Sequence, residues 1–133
     1  MELANIGDIE NADFSKYNTC RGPADRKYFT KLINLMVDEN ADEDEQLDAI
    51  NDGLWDIFSH QYTLYTGTPL ALYLILQLTS KQQRKQNKEL QMFINLCCER
   101  GNDGIFLTQD EQIKNANGLL PIFSIPEVLE KYA

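Results

Sequence analysis

The run Gly67-Thr68-Pro69-Leu70-Ala71-Leu72-Tyr73-Leu74-Ile75-Leu76-Gln77-Leu78 constrains the fold more than any other stretch of the chain. Its apolar side chains cover every side of a helix, so such a helix must be wedged between neighbours and cannot lie on a surface. Thr68 is expected to cap it, and Pro69 suits a first turn, where the amide it lacks has no intrahelical partner anyway. A polar stretch from Ser80 to Lys88 follows as a link or an exposed first turn. Beyond it, Leu90, Phe93, Ile94 and Cys97 mark one face of a second helix, closed by Gly101-Asn102-Asp103. An all-round apolar helix joined to a one-sided one cannot bury its own surface and needs neighbours on both sides.

The remaining chain supplies them. Arg21-Gly22-Pro23-Ala24-Asp25 reads as a turn and helix start, and Phe29, Leu32, Ile33 and Met36 then share a face in a helix running to about Glu39. That helix superimposes on the one from Lys88 to Arg100 at a constant offset of 61, with Phe29, Leu32 and Met36 falling on Leu90, Phe93 and Cys97. Asn40 falls on Gly101, and asparagine is the usual substitute where a helix ends in a left-handed residue. Leu47, Ile50, Leu54, Ile57 and Phe58 keep helical spacing, and Gln61 to Thr66 reads as an extended approach to the Gly67 turn. Thr108-Gln109-Asp110-Glu111 is a capping-box pattern for a short helix ending at Asn117-Gly118. Gly118-Leu119-Leu120-Pro121 echoes the start at Gly67, and Ser124-Ile125-Pro126-Glu127 caps a last helix through Tyr132. Residues 1–22, with Ile6, Ile9, Phe14 and Tyr17, form a short helix or a docked arm. The expectation is a single all-α domain over residues 1–133, built either as stacked helix pairs or as an orthogonal helical bundle.

Charge and cysteines narrow the function. Twelve basic against 21 acidic residues give a net charge of −9, which opposes nucleic acid or an anionic membrane as the main partner and favours a basic one. The N-terminus lacks a signal-type sequence, the apolar run near residue 70 is too short to span a bilayer, and Cys20, Cys97 and Cys98 form no disulfide framework, so a cytoplasmic setting is expected. Asp38, Asn40, Asp42 and Asp44 alternate as in a calcium loop, but Glu43 stands where glycine is needed and Ala49 where glutamate is needed. Zinc finds no ligand set either: Cys97 and Cys98 are adjacent, Cys20 is isolated, and His60 has no partner at ligand spacing. No cofactor or metal site can be assembled from the sequence. Ser59 and His60 are neighbours and would diverge on a helix, which opposes a nucleophilic pair. Lys81, Arg84, Lys85 and Lys88 lack interleaved aromatics and read as a solvated helix face.

Gly67-Thr68-Pro69-Leu70, the short buried helix, the second amphipathic helix and the closing Arg100-Gly101-Asn102-Asp103 together resemble an ankyrin repeat, best over residues 67–103, partly over 25–42 and weakly over 118–132. The resemblance implies irregular stacked repeats that bind one protein partner without catalysis, through turn tips and inner helices. Trp55, Tyr62, Tyr65 and Thr66 near one turn, and Asn102 and Asp103 near the next, would then be contacts. Asp42, Glu43, Asp44 and Glu45 would steer a basic partner, their bland alternative being a helix first turn favoured by the dipole. A small acidic protein of this kind suits an effector, an inhibitor or an immunity-type protein. The competing expectation is a small helical enzyme or ligand-binding domain with a pocket near Trp55, His60 and Tyr62.

Overall fold

The computed structural model describes residues 1–133 and is all-α in class. Seven α-helices follow one another: α1 (Arg26–Val37), α2 (Glu43–Asp48), α3 (Thr68–Leu78), α4 (Lys81–Gln86), α5 (Lys88–Arg100), α6 (Gln109–Ala116) and α7 (Ile125–Tyr132). A π-helical segment, Ala49–Phe58, lies between α2 and α3, and one hairpin pairs β1 (Asn18–Thr19) with β2 (Gly22–Pro23).

The apolar run forms α3, whose residues from Thr68 to Leu76 are all buried. At about 1.5–3 kcal/mol for each fully buried Leu or Ile, it anchors the core. It lies between α1 and α7, while α5 packs on α4, α7 and the π segment. Its start differs from expectation. Gly67 is the N-cap, and Thr68 already belongs to the helix. The Thr68 hydroxyl instead accepts the Tyr65 N–H at 2.8 Å and donates to the Phe58 carbonyl at 2.7 Å. Gly67 is needed for close approach: its N–H donates to the Asn18 carbonyl at 2.8 Å, and a Cβ there would lie 2.8 Å from the same oxygen.

α1 and α5, the helices related by the offset, bury Phe29, Leu32, Ile33 and Met36 in one and Leu90, Phe93, Leu96 and Cys97 in the other. Both pack on the π segment. Phe58 sits at that junction, 4.5 Å from the Phe29 ring and 6.0 Å from the Phe93 ring between centroids.

Residues 43–58 are not one regular α-helix, as their spacing suggests. After α2 the winding widens, which buries Ala49, Gly53, Leu54 and Phe58 and leaves Leu47 49% exposed. Steps of four and five residues fall on one side when hydrogen bonds run from i to i+5. Gly53 permits the contact with α1, because a Cβ there would lie 2.7 Å from Leu32 Cδ1.

Two other segments depart from the sequence reading, and residues 1–22 take the docked-arm form of the two expected. Ser80–Asn87 contains α4, started by a reciprocal Ser80–Gln83 capping box. The stretch after Gly118 does not repeat the Gly67 helix start; Ile122 instead makes a parallel bridge with Leu3. Residues 1–22 hold two 3₁₀ turns and β1, docked by Ile9, Phe14 and Tyr17, with the Tyr17 hydroxyl donating to the Pro121 carbonyl at 2.8 Å. No helix is long and apolar enough to cross a membrane.

Phe58→Ala should lower the unfolding free energy by about 3–5 kcal/mol, and Gly67→Ala by roughly 1–3 kcal/mol through forced backbone displacement. Urea denaturation followed by far-ultraviolet circular dichroism checks both; a Gly67→Ala midpoint equal to wild type would show that the approach to Asn18 is slack.

Candidate functional site

His60–Tyr62 forms a tight 3₁₀ turn, not an extended approach, and two consecutive non-glycine residues in it have left-handed backbones, Gln61 at φ 49° and Tyr62 at φ 65°. Such conformations cost about 1–3 kcal/mol each and persist only where surrounding structure imposes them. The turn leaves Tyr62 60% exposed.

Directly after it, Leu64 makes a parallel bridge with Ile105. The Leu64 N–H donates to the Gly104 carbonyl at 3.3 Å, and the Phe106 N–H to the Leu64 carbonyl at 2.8 Å. The turn at residues 60–62 and the 3₁₀ turn Gly101–Gly104 therefore form one rim, carrying Tyr62, Tyr65, Asn102 and Asp103 together. The rim also displays Phe106, 55% exposed, which the sequence reading passed over. Its signal was the Ile105-Phe106-Leu107 run: once Ile105 turns inward in an extended segment, its neighbour must face out.

The other expected contact residues lie differently. Thr66 is fully buried, accepts the Asn18 N–H at 2.7 Å and donates to Glu111 at 2.7 Å, so it is framework and not contact surface. Trp55 is half-buried, its indole N–H donated to Glu89 at 2.6 Å and its ring set edge-on to Phe93. Asn102 is partly committed as well, accepting the Ile125 N–H at 2.8 Å. Asp42 caps α2, and Glu43, Asp44 and Glu45 occupy its first turn, all four exposed.

The fold assembles one group that sequence spacing could not reveal. Cys20, Asp56 and His60 place a thiol, a carboxylate and an imidazole within 4.8 Å of one another. The hairpin turn after β1 delivers Cys20, whose N–H donates to the Ile57 carbonyl at 3.4 Å. Asp56 receives the Arg21 guanidinium on one oxygen and His60 Nδ1, at 3.0 Å, on the other. A carboxylate only accepts, so the proton of this contact lies on Nδ1. Tyr65 stands against the same thiol; burial first, then hydrogen bonding to Cys20 and its charge, push the phenol up to about 12. His60 is thus partnered by Asp56 and not by Ser59, whose buried hydroxyl has no hydrogen-bond partner.

A thiol beside a histidine and an aspartate invites a nucleophilic reading. Acyl transfer, however, needs backbone donors aimed at the developing oxyanion. The N–H groups of Cys20 and Arg21 are committed to the Ile57 carbonyl and, at 3.1 Å, to the Thr19 hydroxyl. The roomier surface depressions lie elsewhere, one of about 700 Å³ over α4 and α5 and one of about 540 Å³ beside Glu2, Gln112 and Asn115. Cys97 is a core residue whose thiol burial pushes up, while Cys98 is exposed. Compared with known proteins, the chain matches no family model, no curated protein and no solved structure.

The phenols predict an alkaline limit. Tyr65 titrates at about 12 in the folded chain against an ordinary value of 10.0, and burial raises Tyr17 and Tyr73 as well. Unfolded phenols therefore lose protons first, so their contribution to stability is fully present below pH 10 and is lost as pH rises through 12. Tyr65→Phe should flatten that fall in denaturant titrations run across this range; an unchanged slope would contradict the placement of Tyr65.

Proposed function

We propose that the protein is a non-enzymatic interaction module that docks one protein partner through the rim built from residues 60–65 and 102–106. The observation that carries this reading is Tyr62, an aromatic ring held outward by a strained left-handed backbone. Strain of this kind is usually retained where a surface has work to do, and exposed aromatics are the common anchors of protein interfaces. Phe106 across the Leu64–Ile105 bridge gives a second anchor. The exposed Asp42, Glu43, Asp44 and Glu45, on a chain of net charge −9, favour a partner with a basic surface and would accelerate encounter more than tighten the complex.

The ankyrin resemblance of residues 67–103 supports the turn tips as the contact. It does not extend to the inner helix, because α3 is buried along nearly its whole length. A small inhibitor, effector or immunity-type protein acting in the cytoplasm of its producer or of a host would use such a rim.

Affinity capture from native lysate with Tyr62→Ala and Phe106→Ala, singly and together, tests the reading. An anchor is worth about 2 kcal/mol, so each change should weaken retention of the partner roughly thirty-fold. Thermal stability should stay near wild type, because both rings are exposed. Changing Asp42, Glu43, Asp44 and Glu45 to Asn or Gln should weaken capture mainly at low salt. Retention of every captured protein at unchanged strength by the double variant would overturn the assignment.

A further inference from the structure

The group at Cys20, Asp56 and His60 meets the rim at His60, but none of its three donors is an anchor there, and the inference does not rest on the rim reading. We propose that Cys20, Asp56 and His60 bind a thiophilic divalent cation of the zinc class, leaving a fourth coordination position open to water.

The donor set is the first argument. Thiolate, imidazole and carboxylate are the three ligand types that zinc accepts, and the thiolate disfavours magnesium and calcium. Geometry is the second. Zinc sits about 2.0–2.3 Å from such ligands, so the three atoms, now within 4.8 Å of one another, need to close by about an ångström. Cys20 and His60 are exposed or half-buried side chains that can make that movement.

Their backbones, in contrast, are held. The Thr19 hydroxyl donates to the Gly22 carbonyl at 2.9 Å and fixes the hairpin turn, the Cys20 N–H is tied to Ile57, and the turn at residue 60 is closed by the Thr63 N–H on the His60 carbonyl at 2.8 Å. Three donors are thus presented from the hairpin, the π segment and the turn, which limits the conformational entropy lost on binding.

Arg21 is the group that a cation has to displace. Its guanidinium neutralises Asp56 in the present arrangement, and its side chain is 53% exposed. A divalent ion would take over that role while Arg21 swings into solvent. Coordination releases the Cys20 thiol proton to solvent, and the His60 proton that Nδ1 gives to Asp56 exchanges through solvent to Nε2 as Nδ1 and the carboxylate become joint ligands, so affinity should rise with pH.

Cobalt(II) is the probe, because a thiolate ligand adds a sulfur-to-cobalt charge-transfer band in the near ultraviolet. Wild-type protein under reducing conditions should develop the band, and zinc should bleach it by displacement. Cys20→Ser should abolish it, Asp56→Asn and His60→Ala should each weaken cobalt binding about tenfold or more, and Cys98→Ser should leave the band intact. No band in wild type, or a band that survives Cys20→Ser and is lost in Cys98→Ser, would overturn the site. A second measurement needs no variant. Zinc should slow alkylation of Cys20 by iodoacetamide, mapped by peptide mass, while exposed Cys98 reacts at its usual rate; equal slowing, or none, would also refute the proposal.

Discussion

The turn that carries Tyr62 hangs from Phe58. Its ring lies between Phe29 of α1 and Phe93 of α5, and its carbonyl accepts the Thr68 hydroxyl at the head of α3. One residue thus registers three helices. The ring pairs lock sideways position through packing and edge geometry, each worth about 0.5–1.5 kcal/mol beyond area burial. The hydroxyl locks position along α3, and it leaves no orphaned carbonyl where the π segment stops. The residues immediately after Phe58 then have little freedom: Ser59 is buried, and the chain must reverse within His60, Gln61 and Tyr62 to reach Leu64. The left-handed backbones at Gln61 and Tyr62 are the local consequence of a fixed point on one side and a bridge to Ile105 on the other.

A second set of constraints is polar and buried. Thr66 joins the Asn18 amide to Glu111, and Glu111 also accepts the Thr108 N–H in the capping box of α6. Buried polar groups of this kind are stabilising only when fully paired, and here the Thr66 pairings cross between distant parts of the chain while Thr108 pairs Glu111 locally. Asn115 does the same for the N-terminal arm, bonding both the N–H and the carbonyl of Glu2 and the Leu120 carbonyl. The arm is therefore docked by directional bonds as well as by Ile9, Phe14 and Tyr17.

This division explains what could be read from sequence. The helices at α1, α3, α5, α6 and α7 were legible because apolar period and cap chemistry are local: Thr108 with Glu111, and Ser124 with Glu127, announce their helices within four residues. The π segment was not, because Leu47, Ile50, Leu54 and Ile57 satisfy a 3.6 period and only contact between Gly53 and Leu32 rewards the wider winding. Thr66 was misread as surface because its value comes from Asn18 and Glu111, far away in the chain. The rim was half legible: both tips could be picked out, but not their union, which depends on the bridge at Ile105.

The same reasoning separates the two candidate chemistries on this face. Asp56 and His60 are four residues apart and their pairing is local, whereas Cys20 arrives from 36 residues earlier in the chain. What brings it is the hairpin, and the hairpin turns where it does because Gly22 adopts φ 105° and β1 is fastened to Gly67 through the Asn18 carbonyl. Gly67 is also the cap of α3. The start of the most apolar helix therefore sets the position of an exposed thiol, and a shift at Asn18 would be felt at Cys20 before it reached Tyr62, which is anchored separately through Leu64. Rim and thiol cluster share His60, but Tyr62 and Phe106 on one side and Cys20 on the other are positioned by different contacts, so these can be altered separately.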